Sequence, residues 1–205
     1  MTLLDRVHGS RVHPHRVRAL SSVLTGLIPP GASVLDVGAG DGRIGQMIAS
    51  ARPDVELSAI DRTVRKETVI PVREFDGRVI PFPDRSWDVV MLLDVLHHAE
   101  QPRELLREAA RVSRRSVLVK DHLLQGRFAR PVLSFMDWVG NRRHGVTLPY
   151  SYWTRERWLD EFGRLHLDIA AWNDRLALYP PPLRWVFERD LHFVAQLDLH
   201  QDIVR

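Results

Sequence analysis

The stretch of this chain best suited to chemistry is Val34-Leu35-Asp36-Val37-Gly38-Ala39-Gly40-Asp41-Gly42, an apolar run that breaks into alternating glycines. Glycine has no Cβ and takes positive φ at little cost, so such a turn lets a ligand lie directly against the backbone. A dinucleotide fingerprint would place a third glycine where Arg43 stands. That lowers the case for close pyrophosphate docking, although Arg43 could itself meet a phosphate. Asp61 closes the next apolar run, roughly 20 residues beyond the first glycine, where a carboxylate can accept both hydroxyls of a ribose. An aspartate at a strand end can also cap the turn that follows; coupled to a glycine turn, it suits an adenosine-containing cofactor. Two adjacent imidazoles, His97 and His98, follow Asp94 and offer either a general base or local packing and hydrogen bonding.

These residues must be positioned by elements, and the pattern shows which. Short β-branched apolar runs ending in Gly or Asp alternate with amphipathic stretches, the signature of an α/β domain. A helix from Arg11 to about Ile28 puts Val17, Leu20, Val23, Leu24 and Leu27 on one face and is stopped by Pro29-Pro30-Gly31. Strands are expected at Ser33 to Val37, Val55 to Ile60, Val69 to Phe75, Trp87 to Leu93 and Ser116 to Lys120, with helices after Gly42 and from Pro102 to Val112. Residues 122–153 break the alternation with glycines, prolines and aromatics, and read as a lid insertion that shapes an apolar pocket. A helix capped by Thr154 and two late strands, Leu165 to Trp172 and His192 to Leu199, complete a single domain over 1–205.

Composition excludes several classes. Of 205 residues, 44% are hydrophobic and 27% charged, the balance of a globular protein with a sizeable core. The net charge is only +3 and is spread along the chain, which does not indicate a nucleic-acid binder. With no cysteine there are no disulfides, thiolate metal sites or thiol nucleophiles. No apolar run approaches the roughly 18 residues of a membrane span, and the N-terminus is too polar for a signal peptide, so cytoplasmic residence is expected.

Taken together, Val34 to Gly42, Asp61, and the run from Asp76 to Glu100 resemble a class I S-adenosylmethionine-dependent methyltransferase. Phe75-Asp76-Gly77, then Pro81-Phe82-Pro83-Asp84 and Trp87-Asp88-Val89-Val90, is similar to the ubiquinone- and menaquinone-biosynthesis-type (methyltransferase type 11) branch, and Asp94-Val95-Leu96-His97-His98 continues the match. The resemblance implies a Rossmann-like, seven-stranded, mostly parallel sheet with helices on both faces and an antiparallel C-terminal strand. It also implies S-adenosyl-L-methionine as cofactor, S-adenosyl-L-homocysteine as product and a small-molecule acceptor. Carried over, Gly38, Ala39 and Gly40 would line the methionine part, Asp61 with the neighbouring Arg62 the ribose, and Asp76 with Gly77 the adenine. Asp94 would lie near the amino acid group and the transferable methyl. Asp36, costly if buried unpaired, would accept hydrogen bonds from the glycine turn, face the cofactor ammonium, or serve structure alone. His98 is the candidate base, and His97, His144, Tyr150 and Trp153 are candidate acceptor contacts; His13, His15 and Arg16 on the first helix would close the other side.

Other chemistries find little support. The ten histidines are scattered, with no His-Glu-x-x-His, so no metal centre is expected. There is no Gly-x-Ser-x-Gly elbow for a serine hydrolase. Asp94-Val95-Leu96-His97 stands where base-modifying enzymes carry an Asn-Pro-Pro-Tyr-type sequence. The remaining alternatives are a nucleotide-dependent Rossmann oxidoreductase, disfavoured by Arg43, and a non-catalytic scaffold that keeps the cofactor site.

Overall fold

The computed structural model describes residues 12–141 and 149–200. Seven strands form one sheet: β1 (Ser33–Val37), β2 (Glu56–Asp61), β3 (Val72–Glu74), β4 (Trp87–Leu93), β5 (Ser113–His122), β6 (Leu167–Asn173) and β7 (His192–Leu199), in the spatial order β3-β2-β1-β4-β5-β7-β6. The first five pair in parallel, whereas β7 inserts antiparallel between β5 and β6. This is the Rossmann-like, mostly parallel arrangement with an antiparallel C-terminal strand expected from the sequence. The order reverses at β1, so the carboxyl ends of β1 and β4 open a crevice there, as it does in other open α/β sheets.

Both faces of the sheet are covered, which is why its central strands are apolar on both sides. Val34, Met91 and Leu118 pack with helix α1 (His13–Leu27) and with Ile48 of α2 (Arg43–Ala51). Leu35, Leu92 and Val119 face the opposite way and pack with α3 (Pro102–Val112) and α5 (Arg155–Arg164). Between β5 and α5 lies α4 (Ala129–Asn141), part of the insertion; α6 (Arg184–Phe187) is a single turn in the proline-rich loop before β7. Thr154 caps α5 as expected, its hydroxyl accepting from Arg157 N–H at 3.3 Å.

Some boundaries differ from the sequence expectation. Helix α1 begins at His13 with Val12 as its N-cap, and Arg11 lies outside the described residues. Strand β3 is shorter than expected, only Val72–Glu74, because it is an edge strand preceded by Pro71, which has no N–H to donate. Strand β5 runs on through the polar Asp121 and His122 because β7 pairs with it as far as His122 opposite His192. Tertiary pairing there outweighs local polarity. Strand β6 starts later than expected, at Leu167, since α5 continues through Arg164.

Candidate active site

Strand β1 delivers the chain into a turn in which Gly38, Gly40 and Gly42 all have positive φ, at 80°, 62° and 78°. A side chain at Gly38 would overlap Val95, and one at Gly42 would overlap Ile70. Only glycine permits both the backbone conformation and the contact. The Gly38 and Ala39 N–H groups donate to the Ile60 carbonyl at 2.8 and 3.2 Å, pinning the turn to the end of β2. Asp61 tightens the same junction. Its Oδ2 accepts from Gly40 N–H at 2.8 Å and its Oδ1 from Thr63 N–H at 2.9 Å.

Above this turn lies a cavity of about 1290 Å³. Its wall brings together Gly38, Ala39, Gly40, Asp61, Arg62 and, across the crevice, Asp76 with Gly77. Asp76 Oδ1 accepts from Arg78 and Val79 N–H, both at 2.8 Å, and these bonds hold its pKa below the ordinary carboxylate value. Arg62 lies against Gly77 and reaches Glu100 at 3.1 Å on the rim. Asp36 does not line the cavity. It is buried beside Gly45 behind the turn, its Oδ1 has no hydrogen-bond partner, and burial followed by the Asp61 charge pushes its pKa up to about 7.

At its other end the cavity reaches a charged cluster built from α1, the turn after β4, the end of β5, α4 and the loop before β7. Asp94, just after β4, holds a left-handed φ of 58° and directs its carboxylate to Lys120 of β5 and to Arg16 of α1, the latter at 2.9 Å. Burial alone would raise the Asp94 pKa; Lys120 and Arg16 outweigh it and hold the group well below the usual range. Arg16 also donates to the Tyr179 hydroxyl and lies over its ring. His97 is buried, with Nδ1 2.7 Å from Asp121 Oδ1 and Nε2 3.5 Å from Asp137 Oδ2. Burial opposes its charge, but the two carboxylates prevail and raise its pKa to about 10. His98 behaves oppositely: burial and the neighbouring His97 charge push it down to about 4, and its buried Nδ1 has no hydrogen-bond partner. The adjacent imidazoles therefore differ in surroundings, His97 lying between two carboxylates and His98 facing the cavity.

Of the residues foreseen as acceptor contacts, His97 lines the cavity. Trp153 does not: it is buried against Trp158, ring centroids 4.6 Å apart, in the core beneath α5. Tyr150 packs in a small cluster with Ala129, Leu133 and Tyr152, also off the cavity wall. His144 lies outside the described residues. The insertion reaches the cavity instead through α4, whose Phe135, Met136, Asp137 and Val139 line it. Of the first-helix residues, His13 and Arg16 reach the wall, His13 contacting Asp41 at 3.2 Å, while His15 turns away to the Ala177 carbonyl at 2.9 Å.

Sequence reasoning missed Lys120, Asp121, His122, Asp137, Tyr179 and His192. One signal was available: Lys120-Asp121-His122 places three ionisable side chains at the end of an apolar strand, where charge is costly unless used. Asp137 and His192 join them only through the fold.

Known proteins share this architecture. Residues 18–156 match the family model described as methionine biosynthesis protein MetW. The chain is 30% identical over 138 residues to 27-O-demethylrifamycin SV methyltransferase of Amycolatopsis mediterranei, covering 55% of this chain and half the length of that enzyme. It is 28% identical over 179 residues to the ubiquinone/menaquinone biosynthesis C-methyltransferase UbiE of Cupriavidus metallidurans, covering 77% of this chain and 70% of the relative. Among solved structures, a SAM-dependent methyltransferase from Aquifex aeolicus superposes with a TM-score of 0.60 at 16% identity, over 91% of this chain and 98% of that one, which establishes the shared fold. The chain thus belongs to the family described as methionine biosynthesis protein MetW, within the class I S-adenosylmethionine-dependent methyltransferases.

Proposed function

We propose that the chain transfers a methyl group from S-adenosyl-L-methionine to a small-molecule acceptor, releasing S-adenosyl-L-homocysteine. The observation that carries this reading is the continuity of one cavity from the glycine turn to the His98 imidazole. The wall fits the cofactor. Gly38, Ala39 and Gly40 present bare backbone for the methionine part, and Asp36 lies behind the turn beside Gly45. Asp61 keeps lone pairs on both oxygens beyond its two backbone bonds, enough for a ribose diol, with Arg62 beside it. Asp76, with one oxygen committed to its own turn, has the other for an adenine amine over Gly77. Asp94 shapes the region of the transferable methyl through its backbone, its carboxylate being tied to Lys120 and Arg16.

When bound, the sulfonium supplies an electrophilic methyl and a neutral leaving group, so the protein's task is mainly alignment and exclusion of water. Helices α1 and α4 and the Tyr179 loop enclose the acceptor end, which supports a small acceptor over a macromolecule. His97 is held through Nδ1 by Asp121 and packs against the neighbouring ring. His98, with Nδ1 unpartnered, takes a proton from an acceptor hydroxyl, amine or acidic carbon. Among the described residues no helix is long and apolar enough to cross a membrane, and we place the protein in the cytoplasm within this same reading.

The test is a panel of hydroxyl, amine and enol acceptors incubated with the cofactor, with S-adenosyl-L-homocysteine and methylated product read by mass spectrometry. His98→Ala should lower turnover by about 10²–10⁴ without weakening cofactor affinity. A fully active, folded His98→Ala protein would remove that residue from the chemistry. Cofactor binding without product from any acceptor of these classes would contradict the transferase reading.

A further inference from the structure

Three imidazoles stack at the inner end of the cavity, His97 3.9 Å from His98 and 4.4 Å from His122, centroid to centroid. Among the described residues, the His97 Nε2 and the His98 Nδ1 are both buried and without a hydrogen-bond partner. The Asp137 carboxylate stands beside them, 3.5 Å from His97 Nε2 and 3.1 Å from His122 Nε2. One donor atom from each of His97, His98 and Asp137 lies within 4.8 Å of the others, and so does one from each of Asp94, His97 and His122. The two groups share His97, and the one with His98 and Asp137 holds both unpartnered nitrogens. Bonds of about 2.0–2.2 Å put tetrahedral ligands on zinc roughly 3.3 Å apart, close to the 3.5 Å between His97 Nε2 and Asp137 Oδ2.

Behind His97, Asp121 accepts from Nδ1 at 2.7 Å, the carboxylate support that aims the opposite ring nitrogen at a metal.

We propose that His97, His98 and Asp137 form a binding site for a divalent transition-metal ion, zinc foremost. Imidazole donors with a carboxylate suit this class, whereas magnesium and calcium seek oxygen. The ion lies at the acceptor end of the cavity. Bound there, it polarises an acceptor oxygen or nitrogen and makes its proton more acidic, His98 then serving as ligand and the proton passing to water. That consequence rests on the transferase reading; metal binding itself does not.

The experiment uses the full chain, stripped with chelator and without cofactor or acceptor. It is titrated with Co²⁺ in the visible spectrum and with Zn²⁺ and Mg²⁺ by calorimetry. The expected result is one Co²⁺ per chain with ligand-field bands of a low-coordinate site, displaced by Zn²⁺, and no saturable Mg²⁺ binding. His98→Ala and Asp137→Asn should each weaken Zn²⁺ binding at least tenfold, and His15→Ala should not. Since Asp137 is buried and its substitution endangers folding, the half-buried His98 provides the decisive variant, with near-UV circular dichroism as the folding check. Absence of saturable Co²⁺ and Zn²⁺ binding, or Zn²⁺ binding unchanged in folded His98→Ala, overturns the site. Cofactor affinity measured on the same stripped protein keeps that failure separate from failure of the transferase reading.

Discussion

Asp36 shows how far a single residue can depart from its ordinary behaviour. It sits mid-strand with one carboxylate oxygen unpartnered, and burial, then the nearby Asp61, raises its pKa from 3.8 to about 7. Below the unfolded value both states are protonated and no penalty arises. As pH rises from about 4 to 7, the unfolded chain ionises while the native state keeps its proton, so native stability falls across that window. Three pH units correspond to at most about 4 kcal/mol. Asp36→Asn removes the ionisation, so urea denaturation should show the variant near wild-type stability at pH 4 and about 2–4 kcal/mol more stable at pH 8. A stability difference that does not change with pH would show that Asp36 is not held protonated. The sequence made Asp36 legible as an anomaly, a carboxylate inside an apolar run. It could not show that Asp36 stands behind the turn, because that depends on how α2 packs over it.

At the scale of elements, the glycine turn, β1, β4, α3 and β7 were readable because each is defined by its own residues: apolar runs, glycines with one conformational use, and prolines that stop or start helices. The charged cluster was not. Its members come from the turn after β4, the end of β5, α4 and β7, so it exists only once non-local strands have paired. Trp153 illustrates the same limit. An aromatic in an insertion reads equally as pocket wall or as packing, and here contact with Trp158 places it in the core. Helix α5 braces the cluster from that side, because Trp158, itself buried, donates its indole N–H to the His122 carbonyl at 3.0 Å. Trp158→Phe keeps most of the packing and leaves that carbonyl unpaired. The cost should be about 1–3 kcal/mol in chemical denaturation. A variant of wild-type stability would show that the bond to β5 does not hold α5 in place.

On the scale of the whole molecule, the two ends of the cavity are made by different halves of the sheet. The end proposed for the cofactor belongs to β1, β2 and the loop after β3, all encoded by local motifs. The acceptor end belongs to α1, α4, the Tyr179 loop and the strand ends of β5 and β7, where residue types are individually unremarkable. This division explains why the cofactor was readable from the sequence and the acceptor was not. The central claim is that the glycine-turn end takes S-adenosylmethionine. Calorimetric titration of the purified chain with S-adenosylmethionine, S-adenosylhomocysteine and NADH tests it most directly: saturable one-to-one binding of the first two with no heat from NADH is the predicted result, and binding of NADH alone, or of none of the three by folded protein, would contradict it.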